Sequence, residues 1–115
     1  MYKYKIVVDS SSNLKNDYIK DENIAFEVVP LTIHIQGKEY VDDENINVKE
    51  MLDHLNSTEE KSTTSCPSPY SFEESYKDAK IVIAITISSK LSGCYNSAYL
   101  GAAQDGCESR VHVVD

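Results

Sequence analysis

The chain has 115 residues, with 41% hydrophobic and 26% charged positions, the composition of one small globular domain. Nineteen acids against 11 bases give a net charge of −8, which argues against a nucleic-acid or anionic-membrane surface. The longest apolar run, Ile81 to Ile87, is far short of a membrane span, and three cysteines without a C-x-x-C pair imply neither a disulfide framework nor a zinc site.

The chain begins "MYKYKIVVDSSSN", too soon polar for a secretory apolar region, so a cytoplasmic location is expected. Within it, Tyr4–Val8 is rich in β-branched residues and predicts a strand, and Asp9-Ser-Ser-Ser-Asn suits a helix N-cap. A short helix is predicted over 13–20, with Leu14 and Tyr18 on one face. "AFEVVPLTIHI" predicts extended chain interrupted at Pro30, which places it at an edge or a bulge. Beyond Pro30, Leu31, Ile33 and Ile35 alternate with Thr32 and His34, and "QGKEYVD" predicts a hairpin-like turn at Gly37. "NVKEMLDHL" predicts a helix, with Val48, Met51, Leu52 and Leu55 at i, i+3, i+4 and i+7 and Asn47 with Glu50 as a capping box.

"STEEKSTTSCPSPYS" predicts a polar loop. A second helix is expected from Pro69, capped by Ser68, with Glu73 and Glu74 near its start and Phe72, Tyr76 and Ala79 as its apolar stripe. "KIVIAITI" predicts a central strand covered on both faces. A third helix carries Tyr95, Ala98, Tyr99 and Ala102, with Gly106 as its C-cap, and "RVHVVD" closes as a strand. Alternating strands and helices predict an α/β fold: a mostly parallel sheet of about four strands flanked by helices. Because the chain stops at Asp115, at the carboxyl end of a strand, the front part of a longer protein is expected.

In an open parallel sheet, ligands gather outside the carboxyl ends of the strands. "DSSSN" and "SSKLSG" leave such ends, and "TTSCPS" enters a helix start. Helix N-termini offer free N–H groups, hydroxyls add donors, and Gly93 allows close approach to the backbone. That chemistry suits an anionic head group; helix capping alone also accounts for each loop taken singly. "SSKLSG" is neither a nucleophile elbow nor a phosphate-binding P-loop. Cys94 at a helix start is a candidate reactive thiol, or a small buried residue. His34 lies on the polar side of an edge strand, His54 off the apolar stripe of its helix, and His112 alternates with valines as a packed residue. Asp42–Asp43 and Glu59–Glu60 have the look of solvated turns without metal-ligand spacing.

Together "IVVDSSSNL", "EVVPLTIHIQGKEYVDD", "TTSCPS" and "ISSKLSGCYNSA" resemble, in order and spacing, the amino-terminal part of the DegV family, bacterial fatty-acid-binding proteins that present an acyl chain to a separate fatty acid kinase. The resemblance covers essentially the whole chain and identifies residues 1–115 as a DegV-like N-terminal domain, a second lipid-binding domain lying outside it. It implies a non-enzyme without a cofactor, whose partners are a long-chain fatty acid and a fatty acid kinase subunit. It further implies that Thr64 and Ser92 hold the carboxylate, supported by the backbone at Gly93, with Ser65 and Cys94 completing the ligand-binding set. Cys94 departs from the family's usual Thr, Cys66 fills a variable position, and the His and Arg that members contribute from the second domain are absent from this chain. Two other readings compete: a phospho-ligand or small-molecule binding module on the same helix starts, and a Cys94-dependent enzyme.

Overall fold

The computed structural model describes residues 2–59, 61–87, 93–104 and 110–115. The strands are β1 (Tyr2–Asp9), β2 (Ile24–Val29), β3 (Thr32–Ile35), β4 (Lys38–Val41), β5 (Thr63–Ser65), β6 (Ala79–Ile85) and β7 (Val111–Val114). The helices are α1 (Val48–Asn56), α2 (Pro69–Ser75) and α3 (Cys94–Gln104).

The main sheet is parallel, in the order β2-β1-β6-β7, as the strand–helix alternation predicts. Its register sets Ile6 beside Phe26 on one side and Ile83 on the other, and Ile83 beside His112. Since side chains alternate along a strand, this fixes two faces. One carries Lys5, Val7, Val82, Ala84, Val111 and Val113; the other Tyr4, Ile6, Phe26, Ile81, Ile83 and Ile85.

The first face is the core. Phe72 and Tyr76 of the α2 segment and Ala98 and Ala102 of α3 join Val7, Val82 and Ala84 in one buried cluster. Ser68 caps α2, its Oγ accepting from Ser71 N at 3.1 Å, and Pro69 occupies the first turn, as the sequence predicts. The two helices touch at Gly101, where a Cβ would lie 2.6 Å from the Pro69 carbonyl oxygen and 3.0 Å from Glu73 N. Tyr76 donates its hydroxyl to the Ala98 carbonyl at 2.7 Å, fastening the contact. Lys5, 6% exposed, is satisfied by Glu27 Oε1 at 3.0 Å and the Lys77 carbonyl at 3.4 Å. A buried ammonium is tolerated only when paired in this way.

Several expectations change. "AFEVVPLTIHI" is two strands in two sheets: β2 ends before Pro30, and β3 lies in a separate antiparallel sheet ordered β4-β3-β5. Pro30 offers no ladder donor, so the chain changes sheets there. β5 falls inside the stretch expected as a polar loop; its three residues carry no apolar alternation to reveal a strand. The hairpin turn is confirmed, with Gln36 and Gly37 at φ 50° and 80°, the doubly positive pair of a tight β-hairpin.

No helix spans 13–20. A 3-10 turn at Ser10–Ser12 ends at Asn13, which is left-handed at φ 58°, and the Asn16 side chain accepts from Val28 N at 2.9 Å. Asparagine bonding to backbone in this way competes with helix. On α1, Asn47 caps Glu50 N at 3.0 Å, but Glu50 pairs with Lys38 across the second sheet. α2 is only seven residues long, so Glu73 and Glu74 lie beyond its first turn, Glu74 bonding Lys77, and Ala79 starts β6. Gly106 lies outside the described residues. Finally, β6 is covered on one face only: Val82 and Ala84 are buried, whereas Ile81, Ile83 and Ile85 are 39%, 38% and 45% exposed.

Candidate ligand-binding edge of the sheet

The carboxyl ends of β1 and β6 are tied together by Asp9. This carboxylate is 1% exposed; Oδ1 accepts from Ser11 N at 2.9 Å and from the Ser11 hydroxyl, and Oδ2 accepts from Ile87 N at 2.7 Å. Ser10 Oγ accepts from Leu31 N at 2.9 Å, and Ser12 Oγ from Leu14 N at 3.2 Å. The hydroxyls of "DSSSN" therefore serve the fold's own loops, the capping role that any single Ser-rich loop admits.

The other two loops meet. Gly93 immediately precedes α3, its carbonyl accepting from Ser97 N at 3.0 Å in the first turn. A Cβ built on Gly93 would sit 3.8 Å from Cys66 Sγ, an ordinary contact, so T-S-C-P-S and the start of α3 adjoin. Among the described residues nothing nearer than that sulfur would meet a Cβ at Gly93. Thr64 and Ser65 lie on the exposed strand β5. Thr64 pairs with Ile33 and Ser65 with Thr32, so their side chains leave opposite faces of the small sheet. Ser65 Oγ is engaged with His34 Nε2 at 2.9 Å. Ser92 lies outside the described residues.

Two residues at this edge escape a reading of motifs. Asp9 was legible only as a cap, although an acid ending a run of buried β-branched residues signals a carboxylate that the fold must satisfy internally. Thr86, 8% exposed and next after β6, buries its Oγ1 without a hydrogen-bond partner. Buried hydroxyls are normally paired, so an orphan beside a strand end is a polar group a ligand or water can meet. Its signal was a hydroxyl on the inward side of an otherwise apolar strand.

The remaining candidates are structural. Cys94 is fully buried, so its thiol has no surface on which to receive a substrate, which weighs against an enzyme working through it. His54 is held between the Tyr40 hydroxyl and Gln36 Oε1, each at 3.0 Å. His112 is exposed beside Ile83, not packed as its alternation with valines implies. Asp43 caps its own turn through Asn45 N at 2.9 Å. A groove of about 610 Å³ runs between residues 10–17 and 42–48, but Asp17, Asp42, Asp43 and Glu44 line it against a single Lys15, which repels an anionic head group. Among the described residues no cluster of His, Cys, Asp and Glu could hold a metal, and no helix is long and apolar enough to cross a membrane.

Residues 3–115 match the family model "Uncharacterised protein, DegV family". A DegV domain-containing protein of Streptococcus pneumoniae (strain R6) is 32% identical over 115 residues, a match that takes in 97% of this chain and 41% of the relative. Among solved structures, the Streptococcus pneumoniae Fatty Acid Kinase (Fak) B3 protein loaded with linoleic acid superposes with a TM-score of 0.90 at 32% identity, over 98% of this chain and 41% of that one. A DegV family protein from Eubacterium eligens loaded with heptadecanoic acid gives 0.83 at 31% identity, over 97% and 40%. The chain thus spans about two-fifths of the length of the relatives it matches.

Proposed function

The chain belongs to the DegV family, and on that footing we propose that it forms the head-group side of a long-chain fatty-acid carrier, binding the acid and presenting its carboxylate to a separate fatty acid kinase subunit. The observation that carries this reading is the meeting of Gly93, at the start of α3, with the T-S-C-P-S loop at the carboxyl edge of the parallel sheet. The likeness to proteins crystallised with linoleic and heptadecanoic acids supports the choice of ligand.

In this reading the Thr64 and Ser92 hydroxyls donate to the carboxylate, and the backbone at Gly93, at the start of α3, adds donors and partial positive charge. Ser65 and Cys94 flank the clamp, Ser65 as the hydroxyl held by His34 and Cys94 as packing behind the helix start. Hydrogen bonds to a charged group contribute about 1.5–3 kcal/mol net each, against ~0.8 kcal/mol for every methylene buried, so along a long acyl chain the tail supplies most of the affinity and the clamp orients the ligand. The protein performs no bond chemistry; phosphoryl transfer belongs to the kinase partner. A soluble cytoplasmic carrier fits that role.

Native mass spectrometry of the protein, purified from bacteria without detergent and then offered oleate or palmitate, tests the reading. An added mass equal to a fatty acid, lost in Thr64→Ala/Ser92→Ala, is expected. An apo mass that persists with added fatty acid overturns it, and retention of inorganic phosphate or a nucleotide instead points to a phospho-ligand module.

A further inference from the structure

The geometry points to the outer edge of β7 as a strand-addition surface whose occupant is β7 of a second copy of this chain, an inference independent of the head-group reading. β7 ends the parallel sheet, so β6 pairs with only one of its sides. The Arg110 carbonyl accepts from Val82 N at 2.9 Å and the Val114 carbonyl from Thr86 N at 3.3 Å. Arg110, His112 and Val114 therefore turn their peptide groups toward β6. Peptide groups alternate in direction along a strand, so Val111 and Val113 present theirs outward. Two N–H and two C=O groups stand on that side without a partner among the described residues.

The opposite edge of the sheet is closed. On β2 the Asn23 carbonyl accepts from Tyr4 N, which turns Val28 outward, and there the Asn16 side chain accepts from Val28 N at 2.9 Å. The Tyr18 ring lies 5.7 Å from that of Phe26 at the same edge. Sheet edges are ordinarily blunted by such cover, by proline, by lysine or by a bulge. Among the described residues β7, Val-His-Val-Val in unbroken register with β6, has none of these.

Beside β7 on the helical side runs a groove of about 350 Å³, lined by Tyr95, Tyr99, Ala102, Val111, His112 and Val113. Tyr95 and Tyr99 stack with ring centroids 6.5 Å apart, and Tyr99 and its neighbour Leu100 are both exposed. A strand that fits this edge must offer outward peptide groups and small apolar side chains toward the groove. β7 itself offers both. With a two-fold axis between the His112 residues, Val111 of each copy pairs with Val113 of the other. The outward residues then meet as hydrogen-bonded pairs, forming four N–H···O bonds. Directly opposed residues share a face, so the valines of each copy extend the groove side of the other, toward Tyr95 and Tyr99. The contact is isologous and closes at two copies.

Sedimentation equilibrium and amide exchange test the pairing, in about 0.15 M salt to screen the repulsion between copies that each carry −8. A dimer is expected, with the Val111 and Val113 amides exchanging slowly at high concentration and fast on dilution. The His112 and Val114 amides, turned to β6, stay slow throughout. Val113→Pro removes an outward donor and no β6–β7 bond, a position at which an edge strand tolerates proline. It deletes two of the four bonds and is expected to weaken the dimer about a hundredfold. His112→Asp sets like charges across the axis and is expected to weaken it about tenfold, which decides the matter if Val113→Pro does not fold. Asn56→Asp, adding the same charge at the end of α1, leaves the dimer unchanged. A wild type that stays monomeric at millimolar concentration leaves the edge to a strand from another chain and overturns the self-pairing. So does a dimer that His112→Asp weakens no more than Asn56→Asp, or one in which the Val111 amide exchanges alike at every concentration.

Discussion

The two faces of the parallel sheet are built from equally apolar residues and meet opposite fates. Val82 and Ala84 point to the helical side and are fully buried, beneath Phe72, Tyr76, Ala98 and Ala102. Ile81, Ile83 and Ile85, alternating with them on the same strand, face outward with more than a third of their surface exposed, and Tyr2, Tyr4 and Val114 continue that surface. Hydrophobicity along a strand thus records that a face is suited to burial, not which layer buries it. The helices of this chain supply one layer: α2 and α3 both lie on the Val82 face, close enough for Gly101 to touch the backbone of α2. An exposed apolar face of this extent marks a packing surface.

The comparison can be broken by substitutions on either side. The largest effect is expected from Phe72→Ala, which empties the middle of the covered face and costs about 3–5 kcal/mol in urea unfolding. Gly101→Ala comes next. Its methyl would meet the Pro69 carbonyl at 2.6 Å, forcing α3 from α2 at about 1–3 kcal/mol, despite the better helix propensity of alanine. Two threonines placed next to each other on β6 sharpen the contrast. Val82→Thr buries a hydroxyl among apolar neighbours and costs about 1–3 kcal/mol, whereas Ile83→Thr, on the open side, costs less than about 1 kcal/mol. Equal losses from the two would mean that the open face is buried in solution.

The smallest effect belongs to the exposed Lys38–Glu50 pair between β4 and α1. The hydrogen bond from Lys38, and then its charge, hold the Glu50 carboxyl below its ordinary value; the same bond raises Lys38 above its own. A lowered acid stabilises the fold above the ordinary carboxylate range and loses that contribution as pH falls through its folded value. A raised lysine contributes until pH climbs through its own. Thermal melts of the wild type and Glu50→Gln should differ slightly near neutral pH, converge at both extremes, and converge at every pH in high salt.

Periodicity and capping made much of this architecture legible. The i, i+3, i+4, i+7 stripe of α1, the Ser68–Pro69 start of α2 and the apolar run of β6 all form where their residues predict. The failures have local causes. Pro30 conceals a change of sheet, because an interrupted strand and two strands look alike until their partners are known. β5 is Thr-Thr-Ser without a hydrophobic side, so its pairing with β3 leaves no mark in composition. Asn13 turns left-handed and the Asn16 side chain accepts from the Val28 amide, where the residues predict a helix. Of the candidate site, the adjacency of the T-S-C-P-S loop and Gly93 follows the anion-site chemistry of strand ends and helix starts. What the loop motifs could not convey is that the D-S-S-S hydroxyls bond the fold's own loops, that Thr64 and Ser65 face opposite ways, and that Thr86 Oγ1 is left without a partner.

Gly93 joins the two themes, because among the described residues a Cβ there would meet nothing nearer than Cys66 Sγ at 3.8 Å. Gly93→Ala is therefore expected to melt like the wild type while binding fatty acid more weakly; a loss of stability would assign the glycine to the fold. The most direct measurement is a titration of the nitrogen-15-labelled chain with oleate carrying carbon-13 at its carboxyl. Shifts at Gly93, Thr64 and Ser65, with contacts from the labelled carboxyl to those amides, are the predicted result. Shifts confined to Ile81, Ile83 and Ile85 on the open face, with the Gly93 amide unmoved, would contradict a head-group site at the sheet edge.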